Sequence, residues 1–231
     1  MPLRLLLRVL LLCALLPAAT RAASGPGELP GITADEALAR LADGNARYRR
    51  GTPVRPDQDA GRRVDLARGQ QPFAIVLSCS DSRVPPEIVF DQGLGDLFVI
   101  RVAGNTAGVD ETAAVEYGAE HLGAPLCVVL GHSNCGAVKA AVAGAQVHGN
   151  LAEVLAAISP AVERARRANP GLTGDPLLAA AVEANVWLSI ETLFERSELV
   201  RTLVAQGRLR VVGAVYDLAS GEIRWLGSHP E

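Results

Sequence analysis

Four stretches of the chain are apolar almost without interruption, at 73–78, 97–102, 126–130 and 209–216. Alternation of apolar and polar residues marks a strand with one wet face, whereas unbroken runs mark strands covered on both faces. Around these runs the apolar positions recur at helical spacing, predicting helices over about 86–91, 110–122, 136–145, 150–168 and 175–206. Thr33-Ala34-Asp35-Glu36 has the form of a capping box and opens a helix to about Arg50, with Ala37, Leu38, Leu41, Ala42 and Tyr48 roughly on one side. A polar loop at 51–61 and a short helix at 62–69 lead to the first strand. Ala219-Ser220-Gly221-Glu222 turns the chain into a short edge strand at 222–226. Strands alternating with helices predict an α/β fold, a central and mostly parallel β-sheet flanked by helices, with a protruding N-terminal helical arm.

The first 22 residues do not share this pattern. They carry Arg4, Arg8 and Arg21 and no acid, with a short apolar run at 9–16 broken by Pro17 and small residues before Ala22. That is the layout of a secretory signal peptide. The run is about half the ~20 residues of a spanning helix, so no permanent membrane span is expected. Residues 23–32 read as a linker and 33–231 as one domain, exported and expected in the periplasm.

Composition changes the picture in two ways. Hydrophobic residues are 49% and charged residues 20% of the chain, which excludes intrinsic disorder. Aromatics are only 4%, so Ala, Val, Leu and Ile must build the core. The formal charge is −3, and about −6 without the leader; nothing points to nucleic acid. Four cysteines are too few for a disulfide scaffold.

In sheets of this type, function gathers at the carboxyl ends of strands. The first strand ends in Cys79-Ser80-Asp81-Ser82-Arg83 and the third in Gly131-His132-Ser133-Asn134-Cys135-Gly136. Cys79, His132 and Cys135 offer the sulfur and nitrogen donors that zinc takes; sulfur argues against magnesium or calcium. Cys127, inside its strand, reads as core. Asp81 has two roles open to it. It closes the site as a fourth ligand, or it pairs with Arg83 and leaves the fourth position to water. Three protein ligands and an open position make zinc catalytic.

The motifs at 79–87 (Cys-Ser-Asp-Ser-Arg-Val-Pro-Pro-Glu), 96–105 (Asp-Leu-Phe-Val-Ile-Arg-Val-Ala-Gly-Asn) and 131–136 resemble those of the beta-class carbonic anhydrases, over roughly residues 33–227. The resemblance implies that Cys79, His132 and Cys135 hold Zn2+ and that Asp81 and Arg83 form a catalytic dyad. It implies reversible hydration of carbon dioxide to bicarbonate and a proton by zinc-bound hydroxide, with amides near Gly136 stabilising the oxyanion. Phe90-Asp91-Gln92 and Glu116-Tyr117-Gly118-Ala119-Glu120-His121 are similar to the plant-like, open-zinc subclass. There Gln92 and Tyr117 would line the substrate pocket and His121 would move protons outward, although Tyr117 and His121 also have the spacing of a packed helical pair. The family's usual Arg-Asn-x-Ala-Asn is Arg101-Val102-Ala103-Gly104-Asn105 here, a change that leaves the ligands untouched. A homodimer or multiple of dimers is implied. Two alternatives stay open: hydrolysis of carbonyl sulfide or carbon disulfide on the same scaffold, and a non-catalytic zinc-binding or sensing domain.

Overall fold

The computed structural model describes residues 31–228. The expected signal peptide and nearly all of the expected linker, with Cys13, lie outside the described residues, as do 229–231. Five strands form one sheet in the order β2-β1-β3-β4-β5: β1 (Ala74–Cys79), β2 (Leu97–Val102), β3 (Leu126–His132), β4 (Arg210–Tyr216) and β5 (Ile223–Ser228). The first four are parallel and β5 is antiparallel to β4, so the sheet is mostly parallel, as expected.

The unbroken apolar runs are explained by strand pleating, which sends successive side chains to opposite faces. Val76, Val128, Leu130, Val212 and Ala214 pack on one side with Leu41, Phe73 and Phe90. Ile75, Leu77, Cys127, Val129 and Val211 pack on the other with Val186, Ile190 and Leu203. Cys127 is fully buried, and burial pushes its thiol up to about 12, so it is core as read.

The helices are α1 (Ala34–Arg49), α2 (Ala60–Leu66), α3 (Pro86–Val89), α4 (Val109–Glu116), α5 (Gly136–Val142), α6 (Asn150–Ala168), α7 (Gly174–Arg196) and α8 (Glu198–Ala205). The capping box is present: the Glu36 amide donates to Thr33 Oγ1 (3.2 Å) and the Thr33 amide to Glu36 Oε2 (2.6 Å). Within the described residues α1 does not protrude. Ala37 and Leu41 are fully buried on the sheet, and Asn45 donates to the carbonyls of Val89 and Gly221 and accepts from the Ile223 amide.

Two expected helices are interrupted. The segment 110–122 changes after Glu116 into one wider π-helical turn, Tyr117–His121. The segment 175–206 breaks at Ser197, whose extended backbone ends α7 and whose hydroxyl oxygen caps α8 by accepting from the Val200 amide. The same hydroxyl donates to Glu116, tying the break to the end of α4. Helix α7 is long and apolar enough to cross a membrane by length and composition, but its buried positions are core, packed on β3 and β4 on one side and on α5 and α6 on the other.

Candidate metal centre

β1 and β3 are neighbours, and both end at the same edge of the sheet. The end of β1 delivers Cys79; the end of β3 delivers His132; the turn into α5 delivers Cys135. Their ligating atoms lie within 4.8 Å of one another, and all three residues are buried. The two sulfurs are 4.0 Å apart. That is far beyond a bonded pair and near the ~3.8 Å edge of a tetrahedron built on zinc–sulfur bonds.

The donor set fits a cation in a further way. His132 is fully buried. Its Nδ1 donates to the Ser133 carbonyl at 2.9 Å, which puts the proton on Nδ1 and turns the Nε2 lone pair toward the sulfurs. Nε2 is buried with no hydrogen-bond partner. An orphaned acceptor in such a place is costly unless something binds it.

The sulfurs are also paired against each other. Hydrogen bonding from Cys135 holds the Cys79 thiol well below its ordinary range against the opposing effect of burial, with the amides of Gly104 and Asp81 helping. Cys135 is pushed up, first by the Cys79 sulfur and then by burial, against the amides of Val138 and Ala137. Ionisation of one sulfur thus opposes ionisation of the other, and a divalent cation between them would allow both to be thiolates. Local geometry sustains the second loop: Asn134 takes a left-handed φ of 53°, the Ser133 amide donates to Tyr216, and the Leu218 amide donates to Ser133 Oγ.

Asp81 lies beside this group without joining it. Arg83 grips it in parallel, Nε to Oδ1 at 2.9 Å and Nη2 to Oδ2 at 2.7 Å, with the Arg83 amide also on Oδ1. The guanidinium holds the carboxyl far below the usual range against the opposing effect of burial. Asp81 Oδ2 is 3.9 Å from His132 Nε2. Arg83 also reaches the Asn134 carbonyl at 3.5 Å, joining the two loops.

Two residues assigned no role at the site from sequence, Gly104 having been read as a departure that leaves the ligands untouched, hold the first loop. Arg101, in β2, donates from Nε to the Cys79 carbonyl (3.1 Å) and from Nη2 to the Asp81 carbonyl (2.6 Å). Its place two strand positions after Val99 in a motif was visible, but its partners were not. Gly104, with a left-handed φ of 72°, donates its amide to Cys79 Sγ at 3.4 Å.

Other expected site residues lie elsewhere. Gln92 is not brought to the metal group. Its amide donates to the Phe90 and Arg40 carbonyls, and it shares a surface hollow with Phe73 and Asp96, which lie just before β1 and β2 and so at the opposite end of the sheet. Thirteen positions separate Gln92 from Cys79, and that connection, through the one-turn α3 and a left-handed Asp91 (φ 48°), ends away from the metal group. Tyr117 packs with its ring tilted against Phe98 and His121, with ring centroids 5.9 and 5.4 Å apart. Phe98 precedes Val102, the register partner of Cys79, by four positions, about 13 Å along a strand. Within one chain Tyr117 and His121 therefore do not face the metal group; both are exposed. Gly136 does border it, and a Cβ there would meet nothing within 4 Å.

The family described as "Carbonic anhydrase" matches residues 74–223. Carbonic anhydrase 2 of Mycobacterium tuberculosis is 37% identical over 197 residues, covering 84% of this chain and 93% of that protein. The carbonic anhydrase of Mycolicibacterium smegmatis is 40% identical over 194 residues, covering 82% and 91%. The solved beta-carbonic anhydrase CafA of Aspergillus fumigatus superposes with a TM-score of 0.68 at 28% identity, covering 85% of this chain and 92% of that one. One of the tetrameric beta-carbonic anhydrases of Sordaria macrospora gives 0.68 at 25% identity, covering 85% and 100%. With these matches over nearly all of its folded length, the chain belongs to the beta-class carbonic anhydrases, zinc enzymes that hydrate carbon dioxide.

Proposed function

We propose that this chain interconverts carbon dioxide and bicarbonate at an open metal position, with Asp81 and Arg83 as the dyad that orients the attacking water. Cys79, His132 and Cys135 would hold the zinc. A bound zinc ion supplies Lewis acidity, which makes hydroxide available near neutral pH. The observation that carries the open reading is the grip of Arg83 on both oxygens of Asp81. A carboxylate held in this way stays ionised, keeps its position beside His132, and accepts a hydrogen from the nucleophile instead of ligating. Gly136, exposed at the start of α5 and next to Cys135, is read as bordering the substrate side of the site.

The chain is further read as exported, on its N-terminal pattern, and as a homodimer or a multiple of dimers. Tyr117, against Phe98, and His121 are both exposed, so a pocket or proton-transfer role for them would require a second copy. Gln92 is left out of the pocket. The test is stopped-flow hydration of carbon dioxide by zinc-quantified protein across pH. A rate that rises with pH through neutrality is expected, and a flat profile contradicts the reading. Turnover of carbonyl sulfide or carbon disulfide in place of carbon dioxide would transfer the site to hydrolysis, and inactivity of fully zinc-loaded protein would favour a sensor.

A further inference from the structure

Helix α7 carries one costly residue. Asn185 lies among Ala184, Val186 and Ile190 and is 1% exposed. Its amide nitrogen donates to the Gly104 carbonyl at 2.7 Å, while its amide oxygen is buried with no hydrogen-bond partner. A half-satisfied amide in a helix core lowers stability, so packing alone does not explain it. The orientation is fixed by chemistry, since only the NH2 end can face a carbonyl.

Gly104 links Asn185 to the metal group. Its φ of 72° is left-handed, and a Cβ there would lie 2.6 Å from Ile158 Cδ1. In that conformation the carbonyl turns to Asn185 and the amide turns to Cys79 Sγ, 3.4 Å away. Resting on the zinc assignment made above, we infer that Asn185 is a positioning residue. It holds the Gly104–Asn105 peptide by its carbonyl and with it the left-handed Gly104 conformation, so that the amide of the preceding Ala103–Gly104 peptide stays on the Cys79 thiolate, lowering the sulfur's electron donation and fixing its direction. Hydrogen bonds of this outer kind tune both the affinity and the electronics of a metal site.

The test uses the full folded chain loaded with zinc, cobalt(II) or NMR-active cadmium. Asn185→Leu removes the donor at similar size. Ser189→Ala is the control: Ser189 is equally buried on the same helix and donates to the Asn185 backbone carbonyl, but makes no hydrogen bond to Gly104. Asn185→Leu should weaken zinc about tenfold or more. It should also move the thiolate-to-cobalt charge-transfer band to lower energy and abolish the scalar coupling between the Gly104 amide proton and cadmium seen in the parent. Ser189→Ala should leave band and coupling in place. If Asn185→Leu fails to fold, Asn185→Ala, which adds no bulk, is read by the same measures. Unchanged band and affinity in the Asn185 variant, equal shifts in Ser189→Ala, or no Gly104–cadmium coupling in the parent would overturn the inference. A parent that binds none of the three metals refutes the zinc assignment instead, so the two failures are distinct.

Discussion

Arg83 and Asp81, two residues apart, face each other through two parallel hydrogen bonds of 2.9 and 2.7 Å at the rim of the buried thiols. This geometry predicts separable defects. Asp81→Asn should keep zinc and lose roughly 10²–10⁴-fold in kcat, the range for a positioned proton acceptor. Arg83→Ala should lose rate as well, because the carboxylate is then free to swing toward the metal. Hydration kinetics paired with metal analysis checks both; an Asp81→Asn variant that loses its zinc would make Asp81 a ligand.

Arg101 clamps the carbonyls of Cys79 and Asp81 from the neighbouring strand. Replacing it with Met keeps the aliphatic stem and removes the clamp. Zinc affinity should fall about 10–100-fold, measured by competition with a chromophoric chelator. An unchanged affinity would show that the loop holds its shape without Arg101.

Gly44 lies where α1 crosses the end of α3, and a Cβ there would lie 1.7 Å from the Phe90 carbonyl oxygen. Backbone cannot yield as a side-chain tip does. Gly44→Ala should therefore destabilise by about 3 kcal/mol, the upper end for overpacking, although alanine is the better helix former. Denaturant unfolding decides, and a neutral or stabilising result would mean that α1 is not seated as described.

The sheet and the ligands were legible in the sequence because both rest on local pattern. Unbroken runs at β1, β3 and β4 announce two covered faces, and thiols and imidazole just past two such runs fall at one edge. What was not legible depends on where loops travel. Gln92 follows the first motif closely in sequence, yet the connection after that motif leaves it beside Phe73 and Asp96 at the far end of the sheet. Arg101 and Asn185 act through backbone carbonyls brought near only by folding. The break at Ser197 had a capping residue to mark it, but the helical periodicity on either side concealed it.

Asp91 is buried beneath Arg47, which donates to it at 2.6 Å, and accepts from the amides of Val54 and Arg55 at 2.9 Å each. Burial pushes its carboxyl up, but the Val54 amide, Arg47 and the Arg55 amide outweigh it, and the net direction is down. A carboxyl lowered on folding contributes stability that is full above the unfolded-state value, about 3.9, and is lost as pH falls through the folded value. Asp91→Ala should cost about 1–3 kcal/mol at neutral pH. Its deficit against the parent should shrink only under acid conditions, below about pH 4. Urea titrations at neutral and acid pH test this; a deficit independent of pH contradicts the ionised pairing.

The central claim is that Cys79, His132 and Cys135 jointly hold one zinc ion. Metal content per folded chain measures it most directly, in the parent and in Cys79→Ser, His132→Ala and Cys135→Ser, each verified as folded. The account predicts about one zinc per parent chain and little or none in each variant. A folded parent that takes up no zinc from zinc-supplemented solution, or variants that retain it fully, would contradict the account.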